Sequence, residues 1–569
     1  MKKQSLPIGV SDFKKLRTKN FYYIDKTDFI REIIETAAEV ILLPRPRRFG
    51  KTLNLDMLKV FFEKIGKDNK KLFQGLSIEK QNCFDTHQGK YPVIFMTLKD
   101  LKHTNWKECF QNLKTIVYDE YARHRYLLDG DMLFPEEKTR FQKILNGRSG
   151  MADCANSLKY LSKFLHRYHN SPVIILIDEY DTPIHAGYNN GYYEKIVGFI
   201  RNFLSGGLKD NSHLFKGVLT GILRVAKESI FSGLNNLAVY TIMLEEFSDH
   251  FGFTDDEVCK LLSDYEISKH YDEVAKWYDG YRFGDKTIYN PWSLINYVNS
   301  KSKRPLPYWI NTGDTSMIDH LATRGGKEIR EEIGMMIEGR SVQLPVYETI
   351  VLRDLDLRDD LLWSLLLFTG YLRPVRQMDD EIWELCIPNR EILMMYRDLI
   401  KRWFATKVER NQLLEMIRGL ETGNVKLFER LLQKVVIQIM SYHDFGGEPE
   451  KVYHALVLGM LVWLDGKYDI RSNRESGYGR YDIMLKPKGD NKNRTGIVIE
   501  FKIVEKADNN AHKQVLKDAL KQIKDRKYAT ELRASGITDI LEIAVAFKGK
   551  KLWVDHRRLQ TTERYCMGG

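Results

Sequence analysis

Several features that would assign a chain to a common class are missing from these 569 residues. The six cysteines (Cys83, Cys109, Cys154, Cys259, Cys386 and Cys566) are scattered, with no Cys-x-x-Cys pair. That argues against a zinc ribbon or a disulfide framework and fits a reducing cytosol. The longest apolar runs, around 361–372 and 455–464, fall well short of the ~18–20 residues needed to cross a bilayer. No membrane partner is expected. Met1-Lys2-Lys3 is not followed by an apolar stretch, so no signal peptide is expected and the chain reads as cytoplasmic. There is no internal repeat and no long low-complexity linker.

What remains is an ordinary folded composition, 43% hydrophobic and 29% charged. The length is too great for one core and suggests roughly three to four domains. The net charge is +11, and between Lys486 and Lys527 twelve Lys/Arg stand against six Asp/Glu. Concentrated positive charge is a footprint for phosphate backbones, although a charge run taken alone reads first as a solvated helix face.

The stretch Arg45-Pro46-Arg47-Arg48-Phe49-Gly50-Lys51-Thr52 follows the apolar run Val40–Leu43 and leads into a segment of helical spacing. A buried strand, a tight loop and a helix opening on Gly-Lys-Thr is an arrangement that holds a polyphosphate. The amides of Arg48, Phe49 and Gly50 would face the anion, Lys51 would reach the terminal phosphates, and the Thr52 hydroxyl would ligate Mg²⁺. The usual pattern begins with Gly where this chain has Arg45, and a loop without that Gly is expected to approach the phosphates less closely.

Strands are expected at 40–43, 92–98, 173–178 and 217–222, alternating with helices at 28–39, 106–125 and 158–169, which predicts an α/β parallel sheet. Asp178-Glu179 follows five aliphatics at a strand's carboxyl end, where ligands of open α/β sheets bind. Asp178 would hold the Mg²⁺ of an ATP and Glu179 would polarise the attacking water. Thr220, ending a neighbouring strand, would sense the γ-phosphate, and Arg224 would reach developing negative charge as an arginine finger does. Residues 247–410 read as a mostly helical lid and connector, their aromatics as packing.

After 410 a second α/β unit is expected: a long amphipathic helix over 413–440, another over 451–464, strands at 468–471, 480–485 and 496–503, a helix at 511–524 and a strand at 540–547. Asp482 lies on one of these strands, and Glu500 and Lys502, two residues apart, share one face of the next. Two carboxylates there would bind Mg²⁺, with the Phe501 carbonyl as a further ligand and Lys502 orienting or activating water for phosphodiester hydrolysis. The competing reading of an acid and a Lys on one buried face is a paired salt bridge.

The blocks at 7–13, 23–27, 45–52, 176–181 and 229–236 resemble the bacterial AAA-ATPase-like family that carries a C-terminal PD-(D/E)XK nuclease-like domain. The resemblance covers nearly the whole chain and implies a P-loop domain over 1–246, a helical lid and connector over 247–410 and a restriction-endonuclease-like domain over 411–569. It implies Lys51 and Thr52 as nucleotide and Mg²⁺ contacts and Asp178 and Glu179 as the Walker B pair. It further implies Asp482, Glu500 and Lys502 as catalytic, with Asp482 and Glu500 the metal ligands and Glu450 an outer carboxylate. Gln522 and Tyr528 fall where that superfamily places substrate contacts, and Lys513, Lys517, Lys521 and Lys524 read as a phosphate track. The expected cofactors are ATP and Mg²⁺ and the expected partner is nucleic acid, DNA ahead of RNA. A homo-oligomer is left open, since Arg224 could then serve in trans. The alternatives are a nucleotide-regulated binding protein with a silent nuclease-like domain, and a chaperone-like remodeller that only grips nucleic acid.

Overall fold

Uninterrupted aliphatic runs have no polar face to offer water, and in the computed structural model they become interior strands of a parallel sheet. The structure describes residues 3–64, 69–224, 230–231, 234–310, 327–405, 409–439 and, within 457–560, all but 458, 462, 463, 465, 466, 473, 474, 477, 489–493 and 505–509. The chain divides into two compact units, Met1–Thr315 with Gln343–Ile392, and Ser316–Val342 with Leu393–Gly569.

In the first unit β1 (Val40–Pro44), β2 (Val93–Thr97), β3 (Val173–Asp178), β4 (Leu214–Gly221) and β5 (Leu237–Val239) form one sheet in the order β2-β3-β4-β1-β5. Its pairings are parallel throughout. Every residue of β1 and of β3 is buried, which the aliphatic runs foretold. Register brings Thr97 opposite Asp178 and Leu43 opposite Thr220, so the carboxyl ends of four strands lie level. The helix Lys51–Phe62 leaves from that edge. β5 has three residues, too few to show a period, and was not foreseen from the sequence.

The stretch expected to be mostly helical also carries two small sheets. One joins β6 (Phe253–Thr254), β7 (Tyr281–Phe283) and β8 (Lys286–Tyr289), and the other joins β9 (Val342–Pro345), β10 (Arg373–Gln377) and β11 (Ile382–Cys386). Strands of two to five residues leave little alternation to read.

In the second unit the expected long helix is two, Arg410–Thr422 and Val425–Ile439. Gly423 sits between them at φ +74, a left-handed conformation that ends a helix. The expected helix at 451–464 lies largely outside the described residues. A mixed sheet runs β12 (Tyr468–Ser472), β15 (Ile483–Pro487), β16 (Gly496–Ile503), β17 (Asp539–Lys548) and β18 (Lys551–Gln560), with a two-stranded hairpin of β13 (Glu475–Ser476) and β14 (Gly479–Arg480) beside it. Only β16 and β17 pair in parallel, and the helix Ala511–Asp525 connects them. β18 is an added final strand that the sequence reading did not contain.

Candidate functional site

Two sites emerge, one in each unit. The first is the turn from β1 into the helix Lys51–Phe62. Gly50 at φ +89 and Arg48 at φ +68 wrap this turn, and only the glycine does so without strain. The loop is pinned at several points. The Arg45 amide donates to the Gly221 carbonyl at 3.0 Å, the Gly252 amide to the Phe49 carbonyl at 3.1 Å, and the Trp309 indole to the Arg47 carbonyl at 3.0 Å. The Phe49 ring is buried against Tyr281 and Phe283, so it anchors the loop.

Arg45 resolves the missing glycine. Its fully buried guanidinium donates to the carbonyls of Pro44, Tyr240 and Phe247 and lies 5.1 Å and 5.5 Å from the rings of Phe251 and Phe283. Burial pushes its pKa down to about 9, with Glu32 opposing, so it stays cationic at neutral pH. The side chain is an anchor for the loop and does not line the cavity described next.

That cavity is about 500 Å³, lined by Arg47 to Thr52 together with Val10, Tyr22, Lys102, Glu179 and Trp292 among others. The size falls in the range of small-molecule sites, and loop, cations and aromatics together fit a nucleoside polyphosphate. Lys51 is 4% exposed; its ammonium donates to the carbonyls of Arg45 and Pro46 at 3.0 and 3.1 Å and stands 3.4 Å from Glu179 Oε1. Arg48 stacks its guanidinium over Trp292, 4.4 Å from the ring centroid.

Asp178 is enclosed by hydroxyls. Thr52 Oγ1 and Thr220 Oγ1 each donate to it at 2.8 Å, and Thr97 Oγ1 at 3.3 Å. Burial raises its pKa and Glu179 adds to this, while the Thr220 and Thr52 hydroxyls and Lys51 oppose. Glu179 adopts φ +55 and accepts from Thr182 Oγ1 at 3.3 Å. The structure therefore gathers Lys51, Thr52, Asp178, Glu179 and Thr220. It does not bring Arg224 to this cavity, since that guanidinium faces Glu348 at 3.9 Å.

Sequence reading missed Thr97, Trp309 and Glu391. Thr97 was discoverable, because a hydroxyl at the carboxyl end of a strand beside β3 must meet Asp178. Glu391 is fully buried, accepts from the Trp309 amide at 2.6 Å and from Ser293 Oγ at 2.8 Å, and is pushed up to about 7 by burial. Ser293 belongs to the helix Pro291–Asn299 that carries Trp292. One carboxyl thus braces Trp309, whose indole bonds the loop, and Ser293, whose neighbour Trp292 stacks on Arg48, a contact of distant segments that no local pattern encodes.

The second site lies on β15 and β16. Asp482 immediately precedes β15, one position outside the strand expected to contain it, and its Oδ2 accepts the Phe501 amide at 2.7 Å. Asp482 and Glu500 are the residues adjoining the last antiparallel pair, Ile483↔Ile499. Glu500 is 1% exposed; its Oε1 accepts from Lys502 Nζ at 2.9 Å and from Gln522 Nε2, which also reaches the Tyr528 hydroxyl at 3.3 Å. Asp482, Glu500, Lys502, Gln522 and Tyr528 are therefore joined, while Glu450 lies outside the described residues. No group of three or more His, Cys, Asp or Glu gathers among the described residues. Two carboxylates are a sufficient protein share for Mg²⁺, which keeps several waters. Lys513, Lys517, Lys521 and Lys524 are exposed on the helix Ala511–Asp525. No described helix is long and apolar enough to cross a membrane.

Comparison with known proteins concerns the two segments in which these sites lie. Residues 7–231 match a family described as predicted AAA-ATPase, and residues 448–557 match the PD-(D/E)XK nuclease superfamily. An "Uncharacterized protein in vnfD 5'region" of Azotobacter chroococcum mcd 1 is 25% identical over 562 residues, covering 94% of this chain and 95% of that one. The solved Aeropyrum pernix ORC2 protein aligns with 68% of this chain and 92% of its own at 11% identity, with a TM-score of 0.21 that carries no argument.

Proposed function

We propose that this chain, which carries an AAA-ATPase-like domain and a PD-(D/E)XK nuclease superfamily domain, binds ATP in the first and thereby controls phosphodiester hydrolysis of nucleic acid by the second. The domains are taken as 1–246, 247–410 as lid and connector, and 411–569. The observation that carries the reading is the junction of Asp482, Glu500 and Lys502 through the Phe501 amide and the Lys502–Glu500 pair.

At the first site the loop amides and Lys51 hold the phosphates, Thr52 and Asp178 are the residues for Mg²⁺, and Glu179 takes the proton of the attacking water. At the second, Asp482 and Glu500 are the residues for Mg²⁺. When bound, the cation supplies charge neutralisation at the scissile phosphate and a more acidic water. Lys502 positions that water and balances the charge of Glu500. DNA is the substrate favoured ahead of RNA.

The test is Mg²⁺-dependent cleavage of plasmid and single-stranded DNA with and without ATP. Activity should disappear in Glu500→Ala and Lys502→Ala. Salt-sensitive DNA binding with no cleavage under any of several metals would instead favour a silent nuclease-like domain.

A further inference from the structure

The hairpin of β13 and β14 ends in Tyr478, whose side chain is 74% exposed; among the described residues only Leu357 is a more exposed large apolar side chain. A lone exposed aromatic is unremarkable in itself. The hairpin that carries this one is hydrogen-bonded to a segment beside the second site. The Tyr478 amide donates to the Arg526 carbonyl at 2.8 Å, and Ser476 Oγ donates to the Tyr528 carbonyl at 2.8 Å. A Cβ on Gly479 would lie 2.6 Å from Arg526 Cδ, so the hairpin packs directly on the 526–528 segment. That segment leads back to the site, since the Tyr528 hydroxyl accepts from Gln522, which also donates to Glu500. Tyr481, next to Asp482, meets the Tyr528 ring edge-on at 6.2 Å.

The charge around the ring is equally ordered. The Tyr528 amide bonds the Ile523 carbonyl and the Lys527 amide the Lys524 carbonyl, closing the helix Ala511–Asp525 in the manner that normally places Gly at the left-handed position. Here that position is Lys527 at φ +53, a conformation unfavourable to a side chain, and its ammonium lies 5.1 Å from the centre of the Tyr478 ring. One cation thus backs the aromatic, while Lys517, Lys521 and Lys524 stand exposed on the helix that ends just before Lys527.

We propose that Tyr478 is a stacking platform for an unpaired base of single-stranded nucleic acid, with Lys527 and the lysines of the helix Ala511–Asp525 holding the adjoining phosphates. This rests on the nuclease reading and adds its substrate form. A base inside a duplex keeps both faces covered by its neighbours, whereas an unpaired base can lay one face on the tyrosine while its backbone follows the cations. The ring needs no hydrogen bond to do this, so the preference is for strandedness and not for sequence.

The test uses the full chain in EDTA, so that cleavage cannot consume the probe. Binding is read by fluorescence anisotropy with a labelled mixed-sequence single strand and with the same sequence as a blunt duplex. Tyr478→Ala should weaken single-strand binding about tenfold or more and leave duplex binding within about twofold, and Tyr478→Phe should behave as the unaltered protein. Lys521→Ala should weaken both probes and lower the salt dependence. Equal losses for both probes in Tyr478→Ala, or no loss, overturn the platform while Mg²⁺-dependent cleavage through Glu500 is judged separately. An unaltered protein that binds neither probe overturns the platform and the nucleic-acid reading together.

Discussion

Thr52 Oγ1 donates a hydrogen bond to Asp178 Oδ2 at 2.8 Å across 126 residues of chain. The first residue's place at the start of a helix and the second's at the end of β3 make the contact a consequence of sheet register. β1 and β3 both flank β4, their carboxyl ends lie level, and the helix leaves from that edge. The hydroxyl and the carboxylate that would share one Mg²⁺ already touch. This follows from strand order and register together with the helix start at Lys51.

Arg45→Gly restores the usual phosphate-loop residue and should nevertheless harm the protein. The carbonyls of Pro44, Tyr240 and Phe247 would lose their donor and the space between Phe251 and Phe283 would empty. A loss of about 3 kcal/mol or more is expected in denaturant unfolding, with weaker ATP binding. Unchanged stability would show that the guanidinium does not hold the loop.

Lys51→Ala should abolish ATP binding in calorimetry and also lower stability, since the ammonium bonds two loop carbonyls. Glu179→Gln should bind ATP normally while phosphate release falls roughly 10²–10⁴-fold. Retained turnover in Glu179→Gln would assign water activation elsewhere.

Glu391 should give the stability a pH dependence that Glu391→Gln lacks. Its folded pKa is raised from 4.5 to about 7 by burial, while the groups facing it are Ser293, the Trp309 amide, Tyr278 and Tyr281. Between these two pKa values the folded state holds the proton and the unfolded chain does not, so this contribution is full below about 4.5 and is lost as pH rises to about 7. The whole span is worth roughly 3 kcal/mol at most. The difference in unfolding free energy between the two proteins should shift in favour of Glu391→Gln across that window and stay flat above it. A difference that does not vary with pH would mean Glu391 is ionised throughout.

Gln522→Ala should reduce metal-dependent cleavage roughly 10–100-fold, because it removes a donor that orients Glu500. Lys502 remains bonded to the same oxygen, so some activity should survive. Loss equal to that of Glu500→Ala would indicate that Gln522 contacts the substrate directly.

Much of both sites was legible in the sequence. Five aliphatics before Asp178-Glu179 announce a buried strand ending in two acids, and Gly50-Lys51-Thr52 after β1 announces a tight turn into a helix. Glu500 and Lys502 are two residues apart on a strand and so share a face whatever the tertiary fold. Where reading failed, the elements were short, as with β5 and the small sheets of 247–410, or a single glycine intervened, as Gly423 does between two helices. Asp482, expected inside a strand over 480–485, instead sits one residue before β15, because residues 479–480 pair in the β13–β14 hairpin just upstream.

The chain's local patterns thus announced the long strands and helices and nominated the candidate site residues, because backbone periodicity and motif spacing are properties of neighbours in sequence. The fold alone decided what each of those residues touches. Arg45 became an anchor because distant carbonyls surround it, Arg224 turned to Glu348, Glu391 came to brace Trp309, and Gln522 met Glu500. These are contacts between segments far apart in the chain, set by strand order and packing, and no spacing along the sequence specifies them.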